Sequence, residues 1–312
     1  MTPFAALFPG QGSQHPGMGK DVASSSPAAA AVFRAADEAL GFDLSALCFE
    51  GAEADLVRTE ITQPSILTVA VAHFRAFAER GGAQPVAAAG HSLGEYAAHV
   101  AAGTLAFEDA VRSVRQRGRF MQEAVPEGVG AMAAILGLDR ASVVAVCQAA
   151  AGGEIVSLAN INGPDQIVIA GHAGAVVRAC EGAIVAGAKR AIPLQVSAPF
   201  HCALMEPAAR RLEDVLAAVT FCDPAIPVYT NVDARPVREA GAARDALVRQ
   251  VASPVRWDEE IARMADDGIA TFVEFGPGRV LSGLVRRIRK GARVLSVPDA
   301  AGLDTALLEL GR

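Results

Sequence analysis

The chain has 312 residues, of which 52% are hydrophobic and 20% charged, and a formal net charge of −6 at pH 7. This balance suits a globular protein with a sizeable core and excludes a disordered or fibrous chain. It supplies no global positive field for nucleic acid, and apolar runs such as residues 66–72 fall far short of the roughly 20 residues that cross a bilayer.

Residues 1–12 lack the basic region, apolar stretch and cleavage site of a secretory signal. The five cysteines (Cys48, Cys147, Cys180, Cys202 and Cys222) are scattered, without a C-x-x-C pair. A cytoplasmic protein with reduced thiols, no metal site and no nucleic-acid or membrane partner is expected.

Residues 3–9 read as a first buried strand, followed by a glycine-rich loop, "FPGQGSQ". Residues 27–41 and 62–82 carry helical apolar spacing. "PVAAAGH" reads as a strand running straight into the helix "SLGEYAAHVAAG", and residues 106–125 as another helix. Alternation of this kind predicts a parallel sheet covered on both faces.

From residue 129 the order becomes strand, helix, strand, strand, helix, strand, ending with "KRAIPLQVS". A βαββαβ order is the ferredoxin-like pattern. The expected division is therefore an α/β core made of 1–126 and 199–312, with 127–198 as an inserted ferredoxin-like subdomain. The α/β rhythm then resumes with helices at 205–219, 244–252 and 279–290, and strands at 226–232, 271–276 and 293–297.

"GHSLG" (Gly90 to Gly94) fits G-x-S-x-G, in which a serine occupies a sharp strand-to-helix turn with its hydroxyl exposed. Small residues at such a junction also serve close packing, but the strand before and the helix after are the context a nucleophile requires. The helix N-terminus lets the backbone N–H of Leu93 face a developing oxyanion.

Of the six histidines, His73 and His99 lie in helical patterns and read as packed or surface residues, and His91 adjoins Ser92 with its side chain expected to point elsewhere. His201, in "SAPFHCALM" at the return from the insertion, is the favoured base, because pockets favour such junctions. Asp109, Asp139 and Asp165 lie between Ser92 and His201, and none is an evident orienting partner. A backbone carbonyl serves that purpose equally well. "FPGQGSQ" satisfies neither nucleotide-binding glycine pattern. It is either an ordinary strand-end turn or a source of backbone N–H groups for an oxyanion.

Taken in order, "FPGQGSQ", "GHSLGEYAA", "RG..MQ" (Arg117 to Gln122), "PFHCALM" and "VEFGPG" resemble the malonyl-CoA:acyl-carrier-protein transacylases, the acyltransferase family of fatty acid and polyketide synthesis. The resemblance spans essentially the whole chain. It implies a hydrolase-like parallel-sheet main domain with the inserted ferredoxin-like unit. It also implies Ser92 as nucleophile, His201 as base, backbone N–H groups of Gln11 and Leu93 as oxyanion hole, and the Gln250 carbonyl orienting the histidine.

The same resemblance gives Arg117 the free carboxylate of malonate, which its planar guanidinium can grip with two hydrogen bonds. From pattern alone Arg117 reads as a helix-surface arginine. Asn160 and Asn162 are implied as pocket residues, although a strand-end turn accounts for them equally, and His91 joins them. Phe200 resembles the malonyl-selective type, its ring crowding an α-methyl group.

The implied substrate is malonyl-CoA, and the implied partner is an acyl carrier protein whose phosphopantetheine thiol receives the acyl group. No bound cofactor is implied, and a monomer is expected. "VRRIRKGAR" and the pair Lys189 and Arg190 are candidate basic surface for the carrier, although the former reads first as a solvated helix end. A serine hydrolase of carrier-bound acyl thioesters would use the same Ser92 and His201, and a non-catalytic docking module would need neither.

Overall fold

The computed structural model describes residues 2–311. In chain order its strands are β1 (Ala5–Phe8), β2 (Ala87–Gly90), β3 (Gly130–Leu136), β4 (Val156–Gly163), β5 (Gln166–His172), β6 (Arg190–Pro193), β7 (Val228–Tyr229), β8 (Pro236–Val237), β9 (Thr271–Phe275) and β10 (Arg293–Val297). They form a six-stranded sheet, β10-β9-β1-β2-β7-β8, and a four-stranded sheet, β4-β5-β3-β6.

In the large sheet every pair is parallel except β7 with β8. Strand β1 pairs with β2 on one side and with β9 on the other, so segments before and after the middle of the chain share one sheet. The strand order reverses at β1, and such a switch point opens a crevice beyond the carboxyl ends of the strands. Both faces are covered, as near-continuous apolar strands require. Ala6 and Phe8 pack into the core that contains Phe74 and Phe77, while Ala5 and Leu7 face Trp257, Ile261 and Leu284.

The small sheet is antiparallel throughout, with the helices Arg140–Ala150 and Ala173–Val185 packed on it around a separate core. The βαββαβ reading of this region and the parallel reading of the rest both describe the observed fold class. Two strands are shorter than expected. Regular pairing in 189–197 covers only Arg190–Pro193, and the following residues turn into the crevice between the two sheets. Residues 226–232 contribute only Val228–Tyr229, after which the chain leaves the sheet at Thr230 and Asn231.

The helices Lys20–Ser25, Leu44–Glu50, Glu53–Leu56, Trp257–Asp266 and Ala300–Leu310 were not among the expected elements. The fourth of these buries Trp257, Glu260, Ile261 and Met264, a helical stripe interrupted by a buried acid. Among the described residues no helix is long and apolar enough to cross a membrane.

Candidate active site

Ser92 is separated from β2 by His91 alone and adopts φ 54°, in the left-handed region that side chains rarely enter. Such a conformation costs on the order of 1–3 kcal/mol and persists only where the surroundings impose it. The flanking glycines make the turn sterically feasible. A Cβ on Gly90 would stand 2.0 Å from the carbonyl of Gly94, and one on Gly94 would stand 2.2 Å from the carbonyl oxygen of Phe8. The helix Gly94–Ala101 starts at once, with Leu93 at its N-cap.

His201 lies between β6 and the helix Glu206–Ala217, also left-handed at φ 60°. Its Nδ1–H donates to the backbone carbonyl of Gln250 at 2.9 Å. Because a carbonyl only accepts, Nε2 carries the lone pair and receives the Ser92 hydroxyl at 2.7 Å. The imidazole is thus oriented by backbone at the end of the helix Ala240–Gln250. Burial, reinforced by the charge of Arg117, pushes the His201 imidazole down to about 3, so it is neutral and able to accept a proton.

Arg117 is 1% exposed, which corrects the surface-arginine reading drawn from pattern alone. It sits on the buried stripe of the helix Phe107–Glu123 formed by Ala110, Val111, Val114, Gly118 and Met121. Gly118 allows that helix to approach the backbone of Thr59, where a Cβ would meet the carbonyl oxygen at 2.6 Å. The guanidinium donates to Gln63 Oε1 at 2.8 Å, Gln250 Oε1 at 2.9 Å and Ser92 Oγ at 3.0 Å. Its Nε has no partner among the described residues, and no carboxylate forms an ion pair with it there. Burial lowers its pKa, a sign of a cation held without full compensation.

These groups open onto a cavity of about 600 Å³ between the two sheets. Gln11 and Leu93 line it beside Ser92, and their backbone N–H groups make no backbone hydrogen bond among the described residues. His91, Asn160 and Phe200 also line it, together with Met121, Met132 and residues 194–197. Gln122, the last residue of "RG..MQ", donates to the Ser197 carbonyl at 3.2 Å and ties down that wall.

Asn162 lies off the main cavity, in an adjoining one of about 240 Å³, and accepts from His91 Nε2 at 2.8 Å. His91 thus turns away from the serine, as expected. The other signature motif, "VEFGPG", packs against the loop that carries Gln11: a Cβ on Gly276 would stand 2.8 Å from the Pro9 ring and one on Gly278 3.7 Å from Ser13. There Glu274 accepts from the backbone N–H groups of Leu281 and Ser282 and caps the helix Val280–Ile288.

Sequence reasoning missed Gln63, Asn231, Glu95 and Glu260. Asn231 accepts from the Ser92 N–H at 2.7 Å and donates to the Gly90 carbonyl at 2.8 Å and to Glu260 Oε2 at 2.8 Å. Glu95 accepts from Asn231 N and from Gln250 Nε2. Burial pushes the Glu95 carboxyl up to about 7 and raises Glu260 well above the usual range. Among the described residues no group of three or more His, Cys, Asp or Glu has the arrangement to hold a metal ion.

Residues 6–303 match the family model described as acyl transferase domain. The chain belongs to the acyl transferase family. It is 53% identical over 307 residues to the malonyl CoA-acyl carrier protein transacylase of Escherichia coli strain K12, covering 98% of this chain and 99% of that one. The malonyl CoA-acyl carrier protein transacylase structure from Coxiella burnetii superposes with TM-score 0.97 at 45% identity, covering 100% of this chain and 98% of that one. A malonyl-transacylase in complex with a holo type II PKS acyl-carrier protein superposes with TM-score 0.96 at 49% identity, covering 99% of this chain and 100% of that one.

Proposed function

We propose that this acyltransferase moves a malonyl group from malonyl-CoA to the phosphopantetheine thiol of an acyl carrier protein, through a malonyl ester on Ser92. The observation that carries the reading is Arg117, a buried guanidinium without an ion-pair partner among the described residues, 3.0 Å from Ser92 Oγ. A cation so placed favours an acyl group ending in a carboxylate over a plain acyl chain.

In the first half-reaction Ser92 Oγ attacks the thioester carbonyl carbon while its proton passes to His201 Nε2. The oxyanion is received by the N–H groups of Gln11 and Leu93. Collapse breaks the C–S bond, and the CoA sulfur leaves with the proton from His201. In the second, the carrier thiol gives its proton to His201 and attacks the ester, and Ser92 Oγ regains that proton as the C–O bond breaks.

Thioester is exchanged for thioester with no change of oxidation state, so the reading needs no bound cofactor. Asn160 and His91 line the cavity, with Asn162 in the adjoining one, as the polar side along which an amide-bearing pantetheine arm would pass, and Phe200 would crowd the α-carbon of the acyl group. Lys189, Arg190 and the stretch 285–293 are the proposed basic surface for an acidic carrier. In this reading residues 127–198 act as an inserted subdomain that closes the site over the 1–126 and 199–312 core, and the enzyme is a cytoplasmic monomer.

Intact-protein mass after brief exposure to malonyl-CoA tests it, for wild type and Ser92→Ala, followed by holo carrier protein. A malonyl adduct that requires Ser92 and moves to the carrier is expected. Release of free malonate with the carrier left unloaded would make the protein a thioester hydrolase instead.

A further inference from the structure

We infer that Asn231 is a positioning residue for the acyl transfer, its side-chain amide holding Ser92 in the left-handed turn while Glu260 fixes the amide. This rests on the reading of Ser92 as nucleophile. Asn231 is fully buried where the chain leaves β7, next to β2 in the sheet. Its Oδ1 takes the N–H of Ser92, and its Nδ2 takes the carbonyl of Gly90, so one side chain bridges the backbone on both sides of His91.

A side-chain clamp is needed there for a simple reason. The Ser92 N–H makes no backbone hydrogen bond among the described residues, and a buried backbone donor must find some partner. Asn is suited to the task because it offers an acceptor and a donor from one planar group. Aspartate is isosteric but lacks the donor, and it would place a carboxylate against two others.

The amide is held from the far side. Glu260 Oε2 accepts the second Nδ2 hydrogen, and Gln250 Nε2 donates to Asn231 Oδ1 at 3.2 Å, to the Ser92 carbonyl at 3.0 Å and to Glu95 at 2.7 Å. Both peptide groups of Ser92 are thus fixed by two side chains that reach no substrate. Fixing them sets where Oγ stands relative to His201 Nε2, and a displacement of about 1 Å at such a pair costs on the order of 100-fold in rate.

The test is Asn231→Asp, compared with wild type in malonyl transfer from pH 5.5 to 8 and in the rate at which a fluorophosphonate probe labels Ser92. The titratable groups against position 231 are Glu95, which takes its backbone N–H, and Glu260, which takes its side-chain amide; Arg117 and Asp233 act on Glu95, and Arg256 on Glu260. At pH 8 the expected result is a kcat at least about 30-fold below wild type with the KM for malonyl-CoA within about twofold, because Arg117 and the cavity are untouched. The deficit should shrink toward pH 5.5, where a protonated Asp recovers a donor, and fluorophosphonate labelling should slow in parallel.

A kcat within about twofold of wild type at pH 8, or a loss shared by kcat and KM without recovery in acid, overturns the inference. If the single variant does not fold, the exchange Asn231→Asp with Glu260→Gln returns one amide and one carboxylate to the pair. Gly90 still lacks its donor in that protein, so kcat should stay at least about tenfold low, and a wild-type kcat overturns the clamp. A wild type that is labelled by the fluorophosphonate but never malonylated would refute the proposed function and leave the clamp decided by the labelling rates.

Discussion

The Nδ1–H of His201 donates to the backbone carbonyl of Gln250 at 2.9 Å, and this bond makes the other ring nitrogen the acceptor for Ser92. A carbonyl orients the imidazole without the full negative charge that a carboxylate would add, and the upward pull of the Gln250 and Ser253 backbone is too small to offset the burial that takes the ring down to about 3. Its second cause is the Arg117 cation. In the proposed reading a bound malonyl carboxylate would neutralise that cation and so strengthen the base.

The pH profile follows from this coupling. In the free enzyme the acid limb of kcat/KM for malonyl-CoA should lie well below the ordinary imidazole value of about 6.5, while the limb of kcat, which reports the complex, should lie higher. Protonation of His201 removes the base, so both limbs fall toward acid. Stopped-flow loading and steady-state transfer from pH 4.5 to 8 measure both, and coincident limbs would refute the coupling between Arg117 and His201.

Arg117→Ala should lower kcat/KM for malonyl-CoA by roughly 10- to 150-fold, the worth of about 1.5–3 kcal/mol for hydrogen bonds to a charged group. Acetyl-CoA carries no carboxylate, and its slower transfer should change far less. Arg117→Lys should recover little, because an ammonium cannot span Gln63, Gln250 and the substrate at once. The ratio of the two specificity constants is the measurement, and an unchanged ratio would remove Arg117 from acyl recognition.

Arg117 also marks the limit of what periodicity tells. The helix Phe107–Glu123 carries Arg112, Arg115, Arg117 and Arg119, and only the third is buried. Charge alone suggests a solvated face. Position 117 nevertheless falls three residues after Val114 and one before Gly118, on the apolar stripe, and that placement is a signal a careful reading can use. Ser92, by contrast, was legible because its corner needs two glycines at fixed offsets. Asn231 carried no local signal at all: its role depends on β7 lying beside β2, a pairing between positions more than a hundred residues apart.

Phe200 is nearly buried and lines the cavity with Ser92 and His201. In the proposed reading the ring would crowd a branched acyl group. Phe200→Ser should raise kcat/KM for methylmalonyl-CoA relative to malonyl-CoA by about tenfold, within the range of about 1–3 kcal/mol that one methyl group commands in a shaped pocket. Competition between the two thioesters, read as the acyl mass left on Ser92, measures the ratio. Equal specificity constants in wild type would show that the ring does not select.

His99 gives a stability prediction independent of catalysis. Its ring is fully buried on the helix Gly94–Ala101, and neither nitrogen has a hydrogen-bond partner among the described residues. Glu95 Oε1 lies 3.9 Å from Nε2. Burial pushes the imidazole down to about 3. The unfolded chain therefore takes up a proton below about 6.5 that the folded one refuses, and folding stability drops as pH falls from there toward 3, by up to about 1.4 kcal/mol per pH unit. Glu95 acts the other way: with its carboxyl raised to about 7, the folded state gains stability as pH falls from 7 toward 4.5. His99→Leu removes the first effect and keeps the second. Its melting temperature should drop less than that of wild type between pH 7.5 and pH 5, and at pH 7.5 it should equal or exceed wild type, since an apolar side chain of similar size replaces two unpaired ring nitrogens. Thermal melts at the two pH values decide the matter, because a variant that loses as much as wild type in acid would mean that His99 does not take up its proton on unfolding.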